Sequence, residues 1–586
     1  MPSTEQSSPS GAVPLVTPAE TVAASGVAPG GTWRKFSFGD PVQLAITAIV
    51  TIIALWLVLY PLGWLTWGAF HLGAPGAAGN WTAANFTDVF LDPGYWKLVA
   101  RSILVGVGIT LLATLIGVPL AWVTVKTDMP GRRLVEIAAI LPFFTSTFIG
   151  ALAWIFIGNP TNGFLKLWFG IPVNIYSLPG IIWVTGLYMA PYIYLFASAA
   201  MRNMDTSYEE ASFMAGGGLF RTLTRITLPL IFPALVSGMS LVLVISLDIF
   251  GVAAILGFPA HISLLATEVF VNASLVPPAY GKAAVEGLTL IAIAGLLLYF
   301  QNRYMSRRSY AVVSGRGFRV KLYSLGAWSP LVLAVCMLYL VIAIILPLFV
   351  LIKNSFQVYP TPQFTAWTLS NWQTFFSNEE VVSSLLRSLY LSTFGATLTV
   401  IFTAIVAYVI QRSQMPGRHL LEYVTAIPIG MPGIVLGLGI MWAYITWPIW
   451  GTVWILVLAY ITLYMPYGVR ALGATLMQIH PELEESSRVH RATWLMTFRR
   501  IVLPLLRSGI YSTWILLFII FVREISTAVL LTSVNTQVFP VMIFQEWTAG
   551  NFNVMSAGAL LLSIIIFAVV CVFRWVFKVD VVPNYR

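Results

Sequence analysis

Met129-Pro130-Gly131-Arg132 recurs as Met415-Pro416-Gly417-Arg418, 286 residues later. This self-match decides the fold because it has company in the same register. Arg101-Ser102 returns as Arg387-Ser388, and Leu141-Pro142 returns as Ile427-Pro428. Farther along, Pro191-Tyr192 returns as Pro466-Tyr467 and Leu228-Pro229 as Leu503-Pro504, with the spacing shortened to 275 residues. The difference of 11 falls around residues 158–179, which form a longer segment in the first copy. A chain that matches itself over two long stretches builds one unit twice.

Composition says what the unit is made of. Of 586 residues, 58% are hydrophobic and only 9% are charged, against about 25% charged in an ordinary soluble domain. That excludes a soluble globular protein. Apolar runs of about 20 residues, enough to cross a hydrocarbon core of about 30 Å, recur along the whole chain. Twelve spans are expected, near 43–70, 101–125, 134–157, 180–201, 227–257 and 283–301, then 328–352, 386–411, 421–446, 451–471, 502–533 and 555–577. The fifth is long enough to be broken. The predicted fold is therefore an all-α integral membrane protein of two six-helix repeats. Because each unit has an even number of spans, the repeats are parallel, and a pseudo-twofold axis along the membrane normal relates them. A pathway is expected where they meet.

The charges have a sidedness. With a cytoplasmic N-terminus, about 25 of the 32 Lys and Arg fall in loops on the inside, among them Lys126, Arg132, Arg202, Arg221, Arg412, Arg418, Arg488 and Arg499. Both termini are then cytoplasmic. Cations spread over loop ends form no nucleic-acid surface, so the net charge of +10 carries no such partner. The expected domains are a disordered Ser-, Pro-, Ala- and Gly-rich cytoplasmic tail at 1–33, a first membrane domain at 34–301, a basic cytoplasmic linker at 302–321 and a second membrane domain at 322–586. The tail has neither the basic start nor the apolar run of a cleaved signal peptide. Cys336 and Cys571 lie in apolar runs and read as packing. His71, His261, His419, His480 and His490 are scattered, so no stable metal site is expected.

Two transporter classes share this architecture, a facilitator-type secondary transporter and the membrane part of an ATP-driven importer. Asp128-Met129-Pro130-Gly131-Arg132-Arg133 partly resembles the facilitator loop G-x-x-x-D-R-x-G-R-R. Thr124 stands where that pattern has Gly, Met129 where it has a base, and Gln414 replaces the acid in the second copy. A Pro-Gly turn flanked by arginines on the positive side accounts for the match. A membrane enzyme would need a catalytic cluster at one face, and the sequence offers none.

The loops between spans 4 and 5 and between spans 10 and 11 choose the importer. The first reads Glu209-Glu210-Ala211-Ser212, then Gly216, then Ile226-Thr227-Leu228-Pro229; the second reads Glu484-Glu485-Ser486-Ser487, then Arg491, then Ile501-Val502-Leu503-Pro504. Both resemble the E-A-A-x(3)-G-x(9)-I-x-L-P loop of permease subunits in binding-protein-dependent type I ABC importers, with Arg491 departing from the expected Gly. Acids and capping side chains open a short helix in each loop, and Gly216 to Gly218 end the first one cheaply. The resemblance implies that each loop docks on a cytoplasmic ABC ATPase subunit. No G-x-x-x-x-G-K-[ST] phosphate loop is present, since the one Gly-Lys, Gly281-Lys282, runs into Ala283. The chain is therefore expected to bind no cofactor and to catalyse nothing, with ATP and Mg used by separate ATPase subunits, two copies of one chain.

Ionisable residues within spans are expensive and point to a pathway. Asp248 and Arg523 lie 19 residues beyond Pro229 and Pro504, which places them at equivalent positions toward the outer ends of their spans; Glu524 follows Arg523. A cross-half Asp248–Arg523 pair that leaves Glu524 free is one expectation, serving either as a gate or as a substrate contact. Glu268 and Glu546 are read near the outer entrance. Gly430, Gly433, Gly437 and Gly439 in span 9 read as helix packing, with a broken helix as the alternative. Finally, Arg523-Glu524-Ile525-Ser526-Thr527-Ala528 resembles the ferric-iron branch of these fused permeases. That implies ferric iron as cargo, a periplasmic binding protein as its donor and the bacterial inner membrane as location. Thiamine, 2-aminoethylphosphonate and related small solutes are the alternatives within the branch.

Overall fold

The computed structural model describes residues 41–306, 322–364, 366–413, 417–490 and 492–577. The tail at 1–33, most of the linker, Met415, Pro416 and Arg491 lie outside the described residues. The first half contains α1 (Pro41–Ala69), α2 (Pro93–Lys126), α3 (Arg132–Ile140), α4 (Thr147–Ile157), α5 (Leu178–Arg202), α6 (Ser207–Met214), α7 (Leu228–Leu247), α8 (Phe250–Gly257), α9 (Leu265–Ser274) and α10 (Tyr280–Ser306). The second contains α11 (Ser329–Leu340), α12 (Leu346–Ser355), α13 (Glu379–Arg412), α14 (Arg418–Ala426), α15 (Gly433–Tyr444), α16 (Val453–Met477), α17 (Glu482–Val489), α18 (Leu503–Val522), α19 (Phe539–Thr548) and α20 (Phe552–Phe577). Short helical turns connect several of them. Among the described residues strand pairing is limited to three isolated bridges.

The repeat is visible in the caps. Asp92 accepts from the Gly94 N–H at the start of α2, and its counterpart Asn378 accepts from Glu380 and Val381 at the start of α13. Gly131 and Gly417, the glycines of the duplicated turn, have φ of +80° and +98°. A side chain there would be strained, so this motif recurs for a backbone reason.

Among the described residues ten helices are long and apolar enough to cross a membrane, and three bent pairs would raise the number to 13. The ten coincide with ten of the twelve expected spans. The other two, 134–157 and 421–446, are not straight: the helix pair that includes α3 and α4 bends by 98° and the pair that includes α14 and α15 by 112°. The cause lies in Leu141-Pro142 and Ile427-Pro428. Each opens a 3₁₀ turn, Leu141–Phe144 and Ile427–Gly430, after which two extended residues end the helix. Beyond the break, Phe148–Ile157 and Gly433–Tyr444 are wholly buried. The glycines of span 9 serve both readings, since the helix breaks between Gly430 and Gly433 and also packs closely beyond it. A Cβ on Gly437 would come within 3.0 Å of the Thr527 carbonyl oxygen. The long spans 227–257 and 502–533 are likewise interrupted, at Asp248 and Arg523.

The two halves interlock. Helix α1 packs on α15 and α10, while α12 packs on α4 and α11 on α3, so the first span of each half lies against the bent pair of the other. Trp56 meets Tyr444 edge-on at 5.7 Å across one of these seams, and beside the other the Tyr339 hydroxyl of α11 donates to the Leu187 carbonyl of α5 at 2.9 Å. The bent pairs thereby sit at the centre of the molecule.

Candidate coupling loops and the cavity between the halves

Glu209 and Glu484 turn inward. Lys126, the last residue of α2, holds Glu209 at 2.9 Å with both side chains at most 2% exposed, and Thr227 donates to the other carboxylate oxygen at 2.7 Å. Arg412, the last residue of α13, stands 3.2 Å from Glu484, which also accepts from the Tyr408 hydroxyl at 2.7 Å. Lys126 and Arg412 share one repeat position, and Glu209 and Glu484 share another. Each loop helix is therefore bolted to the end of the second span of its own half. Two hydroxyl pairs repeat as well, Ser212 with Thr222 at 2.8 Å and Ser487 with Thr497 at 2.9 Å. They tie the short helix to the turn that leads into α7 or α18.

Glu210 and Glu485 face outward and are exposed, as are Ala211, Ser486, Pro229, Leu503 and Pro504. Gly216 adopts φ +75°, the left-handed end that the glycine permits. Ile226, Leu228 and Ile501 are half-buried at the entry to the spans. Met214 is 90% and Phe220 79% exposed, and the equivalent Val489 and Leu495 are also exposed, leaving an apolar patch beside each outward glutamate. The partners Lys126 and Arg412 escaped sequence reading, although their shared repeat position and opposite charge to Glu209 and Glu484 were signals for them. The first loop has one addition without a counterpart among the described residues. The backbone of Tyr323 pairs with Lys126 and Asp128, and its ring stacks on Trp122 and lies 5.6 Å from Phe213. Burial and the neighbouring Glu209 carboxylate push the Tyr323 phenol well above its usual pKa.

A cavity of about 190 Å³ lies between the halves, lined by the breaks of both bent pairs together with Asp248, Arg523, Glu524, Tyr192, Tyr464 and Tyr467. Asp248 and Arg523 do not form the expected pair. Asp248 accepts from the Gly433 N–H at 2.8 Å and so caps the start of α15. Arg523 donates to the carbonyls of Phe143 at 2.8 Å and Thr145 at 3.3 Å, with its guanidinium 5.9 Å from the Phe143 ring centre. Each charge thus crosses to the break of the opposite half, where a free helix N-terminus takes the carboxylate and free carbonyls take the guanidinium. Glu524 is not free either: it accepts from the Thr527 N–H at 2.9 Å and from the Tyr464 hydroxyl. Counting along the helices places these residues toward the ends of their spans, and Asp248 and Arg523 are the C-cap residues of α7 and α18. The structure seats them at the elbows, with the 11 residues of α4 and the 12 of α15 extending beyond. Glu268 and Glu546 do not line this cavity. Glu546 accepts from Asn551 at 2.8 Å, and Glu268 lines a separate cavity beside α2.

Residues 109–310 and 399–579 each match the family described as binding-protein-dependent transport system inner membrane component. The chain belongs to this family. It is the permease of a type I ABC importer with two copies of the domain in one polypeptide. The permease is 24% identical to the ferric transport system permease protein FbpB of Actinobacillus pleuropneumoniae over 553 residues, 92% of this chain and 79% of that one. A Haemophilus influenzae protein described as Fe(3+)-transport system permease protein FbpB 2 is 23% identical over 81% of this chain and 89% of its own. The spermidine/putrescine transport system permease protein PotB of Escherichia coli is 27% identical over 39% of this chain and 85% of its own length.

Proposed function

We propose that this permease forms the translocation pathway of an importer that carries ferric iron across the bacterial inner membrane. The observation that carries the substrate is the likeness to ferric transport permeases over most of the chain, both repeats included. Cargo arrives from a periplasmic binding protein at one face, and ATP is hydrolysed by two cytoplasmic ABC ATPase subunits, copies of one chain, at the other. Both termini and both loops lie on the cytoplasmic side, in keeping with the Lys and Arg distribution.

The duplicated anchor supports the coupling role. A loop helix whose inner face is held by a buried ion pair moves with the span it is bolted to, so an ATPase that grips the exposed face around Glu210 or Glu485 moves that span. Because the broken helices of each half contact Asp248 or Arg523 of the other, displacement of α7 or α18 pulls directly on the elbows that line the cavity. The test is reconstitution with the ATPase and candidate binding proteins. Ferric-loaded binding protein stimulates ATP hydrolysis and iron uptake; stimulation only by a thiamine- or phosphonate-loaded protein refutes the cargo, and uptake without any ATPase refutes the class.

A further inference from the structure

A second polar cavity, of about 300 Å³, lies where α2 begins and α9 and α10 meet, and the pathway described above makes no use of it. Asp88, Asp92, Glu268 and Glu286 line it, opposed by Lys282 and Arg101. Lys282 stands 3.5 Å from Asp88, and Arg101 is engaged with the Ser263 carbonyl at 3.4 Å. Glu286 is the informative member. It is only 5% exposed, one carboxylate oxygen accepts from Asn272 at 2.9 Å, and the other, Oε2, is buried with no hydrogen-bond partner among the described residues. A buried carboxylate oxygen left unpartnered in a polar cavity calls for a donor or a cation to satisfy it.

The cavity belongs to one half only. The positions equivalent to Asp88, Asp92 and Glu268 carry Thr374, Asn378 and Met542, and α20, the counterpart of α10, carries no acid, so the repeat does not require these acids. Asp88, Asp92 and Arg101 also precede the family-matched stretch that begins at residue 109. The 34 residues of α2 separate this end from Lys126 and the first loop, about 50 Å at 1.5 Å per residue. The cavity is therefore at the face opposite the coupling loops.

We propose that it is a receiving site for a multivalent cation, held with its water shell at the entrance to the pathway. The assignment rests on the reading of the cargo as ferric iron. Among the described residues no three His, Cys, Asp or Glu side chains converge tightly enough to grip a bare ion. The volume leaves room for an ion together with its water shell. Four carboxylates against two cations draw a positive ion in, and coordination through water lets it leave again.

Terbium(III) tests this in the full-length chain, held in nanodiscs of uncharged lipid without ATP, because Tyr95, which lines the cavity, and Trp96 beside it sensitise its emission. Wild type shows saturable sensitised emission. The Glu268→Gln, Glu286→Gln pair weakens the affinity by about tenfold or more, and Lys282→Gln, which removes an opposing charge, tightens it. Unchanged affinity in both variants overturns the site, as does loss of emission in Asp248→Asn alone, which would put the ion between the halves. Absence of saturable binding in a chain that still imports ferric iron refutes this site and spares the cargo; binding by a chain that imports another solute refutes only the cargo.

Discussion

Glu209→Ala should be far more damaging to the fold than its place in a loop suggests. The substitution leaves the Lys126 ammonium at 0% exposure without its carboxylate, and it also strips Thr227 of the acceptor 2.7 Å away. Removing one partner of a buried pair costs roughly 3–5 kcal/mol, whereas replacing both by apolar groups of similar size is often close to neutral. Lys126→Met combined with Glu209→Leu should therefore recover most of the stability that either single substitution loses, giving a coupling energy of about 3 kcal/mol, far above the few tenths expected of independent sites. The assay is equilibrium unfolding of the purified chain in mixed micelles, run as a double-mutant cycle. The double variant remains folded yet has lost the polar bolt between loop and span, so its ATPase stimulation should also be measured in the reconstituted complex. Additive losses within about 0.5 kcal/mol would refute the reasoning, since they would mean that Lys126 and Glu209 do not hold each other.

Glu210→Ala with Glu485→Ala is expected to do the reverse, changing stability by less than about 0.5 kcal/mol because both side chains are exposed, while abolishing stimulation of the ATPase by loaded binding protein; unchanged stimulation would count against the outward faces as the docking surface. Gly433→Ala places a Cβ 2.8 Å from the Thr527 hydroxyl oxygen and 3.2 Å from Ser526 Cβ, which should destabilise the chain by about 1–3 kcal/mol and slow uptake, both read against wild type in the same micelles and vesicles. Arg523→Met leaves the Phe143 and Thr145 carbonyls without their donor, at a cost of about 1–3 kcal/mol. Its effect on uptake should exceed that of Glu546→Gln, whose carboxylate lies outside the cavity.

Where sequence reading failed, it failed for one reason. Asp248 and Arg523 occupy equivalent positions with opposite charges, which invites pairing them, but the partner each one takes is backbone: an N–H of Gly433 and carbonyls of Phe143 and Thr145. Backbone groups carry no letter in the sequence, and they are free only because Pro142 and Pro428 break their helices. The same blindness hid the bend of 98°, since an apolar run of the right length reads as a straight span whether or not it turns, whereas the glycines of span 9 already offered the bend of 112° as an alternative. Glu286 lies inside the expected span 283–301 and so was legible as an intramembrane acid, but only folding brings it beside Glu268 and Asn272.

The number of repeats and the transporter class were present in the sequence. Hydrophobic length, charge sidedness and self-similarity are properties of the chain itself and survive without coordinates. The tertiary structure alone decided which glutamate of each loop anchors and which one is presented, because that depends on which side of a short helix meets Lys126 or Arg412. It alone decided that each half reaches across to hold the other half's broken helix. Such contacts join residues as far apart as Phe143 and Arg523, and nothing in the local pattern of a chain records which distant backbone groups folding will leave free beside them.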